Sequence, residues 1–360
     1  MRIDISAKRL FTGDVWLDEV VLSIENGIIK NISKEGYEFN NAIAIVIPAL
    51  IDLQIYGAEH KLLSEFPEAA TIEKIYQYCL AGGAAYFQPT IASQTNEIIL
   101  KAIDAVRAYK SSGGKGCIGL HIEGPWIHVD KKGAHSAEII HTPSYQEVEE
   151  IVNYGKDCIG MITLAPEVVD SKIIDLIQKN NIIISAGHSN ASYEQATQFF
   201  NTSIPVATHL YNAMSGLQHR APGMVGALFN HPTAMCSLVA DGYHVNFAAI
   251  KIAKKIMGDR LFCITDAVTT TTTGMYQHSL VGDKYESKGV LSGSALTPLQ
   301  SVKNLVKKVD IEMGEAIRMC SLYPARVMQH RDIKGSITLG GKADLACLKE
   351  DLSLLKMIVA

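Results

Sequence analysis

The chain has 360 residues, 48% of them hydrophobic, and a formal net charge of −4 at pH 7. This length and apolar content provide for one large α/β barrel or for two domains. The weak acidic charge gives no sign of a nucleic-acid-binding or membrane-binding surface, so neither partner is expected. The seven cysteines are odd in number and form no CxxC pair, which favours a reducing cytoplasm over a disulfide-bonded secreted fold.

Two segments bear on targeting, and neither has the required pattern. Asp4 interrupts the N-terminal segment where a signal peptide needs its apolar stretch. The longest apolar run, residues 42–51, contains Pro48 and is too short to span a bilayer. We therefore expect a cytoplasmic protein.

After a strand-rich start over residues 3–47, with turns at residues 12–14 and at Asn26-Gly27, the pattern changes at Pro48. Apolar runs rich in Ile and Val then alternate with segments of helical length and spacing. The apolar runs are residues 49–55, 84–92, 117–124, 159–167, 181–189, 205–212, 234–242 and 261–267. The helical segments between them are residues 70–82, 95–110, 145–155, 170–179, 192–201 and 247–257. Eight alternations predict a (β/α)₈ TIM-like barrel. A doubly wound sheet is the alternative, but it would normally show a glycine-rich phosphate turn after its first strand, and none follows Gln54.

The C-terminal part departs from this alternation. Residues 269–273 are five consecutive threonines, interpreted as a mobile polar loop, and residues 279–287 resemble a small hairpin. Helices are predicted over residues 298–309 and 312–322, and the tail returns to strands and turns. The β-rich ends predict a small β-sandwich domain built from residues 1–47 and 333–360, beside a barrel of residues 48–332.

Four of the apolar runs lead into a carboxylate or an imidazole, namely Glu123, His188, His209 and Asp266. Catalytic groups of a parallel barrel lie at the carboxyl ends of its strands. Alone, each histidine is compatible with a core position and Glu123 with a cap. Together, one carboxylate and two imidazoles predict an open three-ligand site for one divalent ion. Zn²⁺ suits these ligands best, with Fe²⁺, Mn²⁺ and Co²⁺ also compatible. Asp266 is then predicted to be the general base.

The first barrel strand supports a single metal. Many binuclear barrel hydrolases carry His-x-His there, whereas this chain has Gln54 and Tyr56. The fourth apolar run, residues 159–167, also lacks the bridging lysine. We expect Gln54 and Tyr56 to border the site, and His60 to be a surface loop residue.

An ordered set of motifs extends over nearly the whole chain: PALIDLQIYG, HIEGPW, KKGAH, TLAPE, SAGHSNA, THLYNAM, RAPG, ADGYHV, TDA, LSGSAL and LYPAR. In these motifs the chain resembles the N-acetylglucosamine-6-phosphate deacetylases of the amidohydrolase superfamily. The resemblance implies a barrel with a small β-sandwich formed from both chain ends. It implies metal-dependent hydrolysis of N-acetyl-D-glucosamine 6-phosphate to D-glucosamine 6-phosphate and acetate, in amino-sugar catabolism or cell-wall sugar recycling. It also implies a homodimer.

The resemblance assigns the divalent metal to Glu123, His188 and His209, and the catalytic acid/base role to Asp266. His135 is expected to polarise the acetyl carbonyl, with a structural loop hydrogen bond as the alternative. Substrate contacts are implied at Ala134, Asn212, Ala213, Arg220, His244, Ser292, Gly293 and Ser294. A guanidinium group suits a sugar phosphate dianion, so Arg220 is the expected phosphate ligand unless it is a surface loop residue. The imidazole of His244 can bind phosphate or sugar hydroxyls.

Two departures from the family pattern lie near the expected site. Tyr56 is bulkier than the residues common at its position, and residues 58–63 replace a glycine-rich loop. These departures leave the hexosamine epimer open, so an N-acetylgalactosamine-6-phosphate deacetylase is an alternative. Another amidohydrolase, acting on cyclic amides or N-acyl amino acids, and a non-catalytic sugar-phosphate sensor are the remaining alternatives.

Overall fold

The computed structural model describes residues 2–202 and 204–360. Its strands are β1 (Arg2–Phe11), β2 (Trp16–Glu25), β3 (Ile28–Ser33), β4 (Ile43–Pro48), β5 (Leu50–Ile55), β6 (Gly57–Ala58), β7 (Lys61–Leu62), β8 (Ala84–Ile91), β9 (Leu120–Glu123), β10 (Ile159–Leu164), β11 (Ile183–Ala186), β12 (Val206–Ala207), β13 (Met235–Val239), β14 (Leu261–Ile264), β15 (Ser279–Val281), β16 (Lys284–Ser287), β17 (Val290–Ser294), β18 (Leu345–Leu348) and β19 (Leu354–Ile358). Its α-helices are α1 (Ala69–Ala81), α2 (Asn96–Ser111), α3 (Tyr145–Gly155), α4 (Ser171–Lys179), α5 (Tyr193–Thr202), α6 (Gly223–Asn230), α7 (Phe247–Met257), α8 (Pro298–Val309), α9 (Met313–Cys320) and α10 (Leu322–Met328).

Eight parallel strands form the barrel, in the order β5, β8, β9, β10, β11, β12, β13 and β14. The end of the first strand contacts the segment that follows the last strand, where the Asp266 N–H donates to the Gln54 carbonyl at 3.0 Å and the Tyr56 N–H to the Ala267 carbonyl at 2.9 Å. The buried Asp52 carboxylate adds a side-chain link, because it accepts from the Thr265 N–H at 3.0 Å. The predicted (β/α)₈ barrel is confirmed, and the doubly wound alternative is wrong.

The six helices predicted between barrel strands are present within two residues at each end, but one was missed. Helix α6 follows β12 and contains two glycines, which disfavour a helix on local propensity. The second of them leaves room for the start of the helix and the loop before it, since a Cβ on Gly226 would lie 2.5 Å from the Cβ of Pro222 and 3.2 Å from Cδ1 of Leu217. The single helix predicted over residues 312–322 is instead two helices, α9 and α10, because the backbone breaks at Ser321, whose φ and ψ are −138° and −74°.

Both chain ends contribute to one six-stranded sheet, in the order β19, β18, β4, β1, β2 and β3. The sheet curls round its own apolar core, because its edge strand β3 contacts the segment that leads into β18. There the Ile29 N–H donates to the Gly341 carbonyl at 2.9 Å. The predicted β-rich domain from both termini is therefore present, while the limits 1–47 and 333–360 stay a prediction. Within the described residues, no helix combines the length and apolarity needed to cross a membrane.

Candidate active site

The carboxyl ends of β9, β11 and β12 bring three side chains to one point. Glu123 is the last residue of β9, and His188 and His209 follow shortly after β11 and β12. All three are buried, with 1%, 5% and 5% of their surface exposed. Glu123 Oε1 lies 3.4 Å from His188 Nε2 and 3.2 Å from His209 Nε2, and the two Nε2 atoms are 3.0 Å apart. The predicted metal ligands, here called the ligand cluster, are thus brought together.

The hydrogen bonds behind the two imidazoles fix which nitrogen faces the cluster. His188 Nδ1 lies 2.8 Å from the Lys131 carbonyl and His209 Nδ1 lies 3.1 Å from the Asn212 carbonyl, so each Nδ1–H donates to a backbone oxygen. In the neutral rings, both Nε2 lone pairs then point at each other and at a carboxylate, an arrangement that a cation between them stabilises. Ligand atoms at 2.0–2.1 Å from a tetrahedral ion lie about 3.3 Å apart, close to the distances found here. The donor set therefore fits a divalent cation.

The backbone turns sharply where these residues leave their strands. His188, His209 and Asp266 have φ values of 49°, 39° and 55°, in the left-handed region that costs a residue with a side chain about 1 kcal/mol or more. Neighbouring strands hold this conformation, since the His209 N–H donates to the Ser237 hydroxyl at 2.8 Å. These turns direct all three side chains toward the carboxyl end of the barrel.

Burial and neighbouring charges set the protonation of the ligand cluster. Burial opposes ionisation of Glu123, but hydrogen bonding from His135 holds the pKa of Glu123 well below its ordinary value. Burial, together with the nearby His135, lowers the pKa of His188 to about 4. At His209 burial acts the same way but is outweighed by Glu123, and the pKa rises. A charged carboxylate beside a neutral imidazole is the state that binds a metal ion.

Asp266 faces the same space from the end of β14. Gln54 Nε2 donates to Asp266 Oδ1 at 2.8 Å, and His244 Nε2 lies 3.7 Å from Asp266 Oδ2. His244 is oriented in turn by Asp241, whose Oδ2 lies 2.6 Å from His244 Nδ1. Burial raises the pKa of Asp266, although His244 and His209 counter part of the effect. A carboxyl with a raised pKa is suited to accept and return a proton.

His135 also reaches the ligand cluster, from the loop after β9. Its Nε2 lies 3.3 Å from Glu123 Oε2, and its Nδ1 accepts from the Ser93 N–H at 3.2 Å. With Nδ1 as the acceptor, the ring proton sits on Nε2 and points toward the cluster. Glu123, His135 and His188 form a buried group whose ligand atoms lie within 4.8 Å of one another. The loop histidine therefore has both a structural bond and access to the reacting centre.

A cavity of about 200 Å³ lies over the ligand cluster and Asp266. Predicted substrate-contact residues that line it are Ala134, Asn212, Ala213, His244 and Ser292. Gly293 and Ser294 lie behind this wall, and the Ser294 hydroxyl donates to the Thr265 carbonyl at 2.5 Å. Arg220 is exposed and does not line the cavity. Among the described residues the lining includes neither lysine nor arginine, so no side chain with a fixed positive charge lines the cavity for the expected phosphate contact.

The threonine run is partly packed and partly exposed: Thr269 and Thr271 are buried behind the cavity residues, whereas Thr272 and Thr273 are exposed. The Thr269 hydroxyl accepts from the His60 N–H at 2.9 Å, and the Thr271 hydroxyl donates to the Tyr276 carbonyl at 2.7 Å. Tyr276 and His278 thereby line the cavity, and the Tyr276 hydroxyl donates to the Ser93 carbonyl at 2.6 Å. Sequence reasoning missed both residues, because Tyr276 is held by Ser93, which lies far away in the chain, and no local pattern marks either residue.

Comparisons with known proteins agree with this geometry. Residues 45–359 match the amidohydrolase family. N-acetylglucosamine-6-phosphate deacetylase of Haemophilus influenzae is 33% identical over 349 residues, covering 93% of this chain and 88% of that protein. N-acetylgalactosamine-6-phosphate deacetylase of Escherichia coli O157:H7 is 29% identical over 361 residues, covering 97% and 95%.

The crystal structure of N-acetylglucosamine-6-phosphate deacetylase from Pasteurella multocida superposes with a TM-score of 0.92 at 31% identity, covering 100% of this chain and 98% of that one. The Thermotoga maritima enzyme of the same name superposes with a TM-score of 0.89 at 26% identity, covering 99% and 98%. The resemblance found in the ordered motifs is confirmed, and the chain belongs to the amidohydrolase family.

Proposed function

We propose that this enzyme hydrolyses the acetamide of N-acetyl-D-glucosamine 6-phosphate to D-glucosamine 6-phosphate and acetate. The observation that carries the proposal is that Asp266 faces the same buried cavity as the ligand cluster. Amide hydrolysis needs a Lewis acid to polarise water and the carbonyl group, and a carboxyl group beside it to transfer the proton. The 33% identity to the Haemophilus influenzae deacetylase indicates which amide.

Each cavity residue has a defined task in this reaction. When bound by Glu123, His188 and His209, a divalent cation supplies Lewis acidity to water and to the acetamide carbonyl. Asp266 takes the proton of the attacking water and returns it to the leaving amine nitrogen. His135 Nε2–H donates to the carbonyl oxygen as negative charge develops there. Glu123, His188, His209, His135 and Asp266 are all buried, which limits their contact with bulk water.

The ligand chemistry favours one Zn²⁺, with Fe²⁺, Mn²⁺ or Co²⁺ as alternatives. One carboxylate oxygen and two imidazole nitrogens are borderline ligands that suit all four ions. The measurement that decides is the metal content of protein purified without added metal, followed by reconstitution with each ion and assay of acetate release.

Recognition of the phosphate points to a homodimer. A phosphate dianion is best bound by a guanidinium group, and none lines the cavity among the described residues. Arg220 is exposed, and so are Leu217, three positions before it, and Tyr243, which precedes the cavity residue His244, with 54% and 50% of their surfaces accessible. We propose that two copies pair over this face, so that the partner subunit's Arg220 binds the phosphate. Sedimentation of the wild-type protein tests the pairing, and the KM of Arg220→Ala for the phosphorylated sugar tests the contact.

We also propose that the protein is located in the cytoplasm. All seven cysteines are free thiols, six of them buried, and reduced cysteines are typical of the cytoplasm.

The deciding assay is acetate release by metal-replete protein from N-acetyl-D-glucosamine 6-phosphate, its galactosamine epimer and the unphosphorylated sugar. Preference for the glucosamine phosphate supports the proposal, and preference for the epimer supports the second candidate, which the 29% identity to the Escherichia coli enzyme favours. Turnover of cyclic amides or N-acyl amino acids alone would indicate another amidohydrolase. Absence of turnover with metal fully loaded would indicate a sensor.

A further inference from the structure

One part of the cavity lining is apolar, and it lies where the barrel closes. Tyr56 and Leu62 come after β5, the first barrel strand, and Val268 and Tyr276 come after β14, the last. These four buried side chains pack into a hydrophobic cluster of their own and line the cavity, and they are here called the apolar wall. The apolar wall therefore belongs to the site and not to the main core of the barrel.

The residues expected to contact the sugar come from other strands. Asn212 follows β12, and His244 follows β13 and is oriented by Asp241. The carbonyl carbon of the scissile amide carries two substituents, the nitrogen with its sugar phosphate and the acyl chain. A buried sugar phosphate needs hydrogen-bonding partners, whereas an acyl chain gains free energy from contact with apolar surface. The sugar is therefore directed toward Asn212 and His244, and the acyl chain toward the apolar wall.

The apolar wall also reaches the reacting centre. The Tyr56 hydroxyl contacts Glu123, and the rings of Tyr276 and His135 have their centroids 6.3 Å apart. The Tyr276 hydroxyl donates to the Ser93 carbonyl at 2.6 Å. Both phenol groups are thus already hydrogen-bonded, which leaves ring carbons as the surface that they offer to the cavity. A methyl group on the reacting carbonyl would meet this carbon surface.

The two aliphatic members of the wall have little room to withdraw, because other backbone segments pack closely against them. A Cβ on Gly57 would lie 2.9 Å from Cα of Leu62 and 3.0 Å from its Cδ2. A Cβ on Gly293 would lie 2.6 Å and 2.8 Å from the two Cγ atoms of Val268. Because a closely packed interior resists an added methylene group, the wall is a fixed boundary for the acyl chain.

We infer that the apolar wall receives the acyl group and restricts the enzyme to N-acetyl over longer N-acyl sugars, with Leu62 and Val268 as specificity-determining residues. Tyr56 and Leu62 lie in the two places where the sequence departs from the family pattern, so the boundary is built from residues particular to this chain. The inference rests on the deacetylase function proposed above, but it concerns which amide is accepted and not how the amide is cleaved.

The test is a series of substrates that differ only in the acyl chain. Metal-replete protein is assayed for release of D-glucosamine 6-phosphate from its N-acetyl, N-propionyl and N-butyryl derivatives, and kcat/KM is compared. One methylene group in an apolar pocket changes this value about 10–200-fold, so we expect wild type to prefer acetyl over propionyl by that factor. Leu62→Ala and Val268→Ala each enlarge the pocket and should lower the preference by about 10-fold or more.

Leu291→Ala is the matched control. Leu291 also lines the cavity, but it lies outside the cluster that forms the apolar wall. This truncation is the same as that of Leu62→Ala and should leave the ratio of acetyl to propionyl turnover unchanged. Circular dichroism and thermal melting establish that each variant is folded.

Three results would overturn the inference: equal kcat/KM for the acetyl and propionyl substrates in wild type, a wild-type ratio in both folded wall variants, or an equal change in Leu291→Ala. Failure of the proposed function would look different. Wild-type protein with its metal bound would then release no amino sugar from any of the three substrates, and the inference would fall with the activity. Acetyl turnover without discrimination along the series would refute the inference alone.

Discussion

Asp52 offers a direct test of how the barrel is closed. Its carboxylate is 1% exposed and accepts from the Thr265 N–H at 3.0 Å, the Thr265 hydroxyl at 2.5 Å and the Gln54 N–H at 3.3 Å. Burial nevertheless raises the pKa of Asp52 from 3.8 to about 6, because these bonds offset only part of the lost hydration. The informative change is Asp52→Asn, which keeps the shape and one acceptor oxygen and removes the charge.

The size and sign of the effect follow from the pKa shift. A rise of about 2 pKa units corresponds to about 3 kcal/mol. The folded chain holds the Asp52 proton more tightly than the unfolded chain, so deprotonation opposes folding. The associated stability is present below about pH 4 and is lost as the pH rises through about 6. Relative to wild type, the free energy of unfolding of Asp52→Asn should therefore rise by about 3 kcal/mol between about pH 4 and about pH 8.

The assay is urea unfolding followed by circular dichroism across this pH range for both proteins. In the variant, the side-chain amide faces the Thr265 hydroxyl, which can donate instead to the Gln54 carbonyl 3.4 Å away. This change in hydrogen bonding adds a constant difference in unfolding free energy that does not depend on pH. Asp175→Asn, an exposed carboxylate on α4, is the control and should show no such shift. Parallel pH profiles for Asp52→Asn and wild type would refute the reasoning.

Three further changes test the cavity. Asp266→Asn should lower kcat about 10²–10⁴-fold with wild-type metal content, and retained turnover would remove its acid/base role. Arg220→Ala should raise KM for the phosphorylated sugar about 10–100-fold and leave the weak hydrolysis of unphosphorylated sugar unchanged; an equal loss for both would argue against phosphate binding. His278→Leu should raise KM with little change in kcat. Because burial lowers the pKa of His278 to about 4, the ratio of the variant's KM to the wild-type KM should be constant from about pH 6 to about pH 8. A ratio that changes with pH would contradict a neutral imidazole.

The barrel could be predicted from the sequence because local signals and tertiary packing agree in most of it. Helix α7 has Asn246 as a side-chain cap and Gly258 just after its end, and its predicted bounds match the structure. Helix α6 and the break at Ser321 could not be predicted in the same way. Both depend on close packing against other elements and conflict with local propensity.

In the candidate site, too, the residues with a local sequence signal could be predicted, whereas the contacts that depend on the tertiary fold could not. Glu123, His188, His209 and Asp266 were predicted because each follows a buried strand, and the carboxyl ends of parallel strands converge. The donors that orient them could not be assigned from sequence, because the contact of Tyr56 with Glu123 depends on a side-chain direction set by the closing of the barrel. The threonine run likewise gives no local signal of packing against His60.

Barrel closure and the arrangement of the reacting carboxylate depend on the same pair of residues. The Asp266 N–H donates to the Gln54 carbonyl at 3.0 Å, and the Gln54 side-chain amide donates back to Asp266 Oδ1 at 2.8 Å. Asp52 holds the adjoining Thr265 and the Gln54 N–H, so it fixes both partners of this reciprocal contact. A change that loosens the contact between β5 and the end of β14 should therefore also move the Asp266 carboxylate relative to the ligand cluster. The buried Asp52 side chain belongs to the same contact, because its Oδ1 accepts from the backbone N–H groups of Gln54 and Thr265 and so joins β5 to the residue that follows β14.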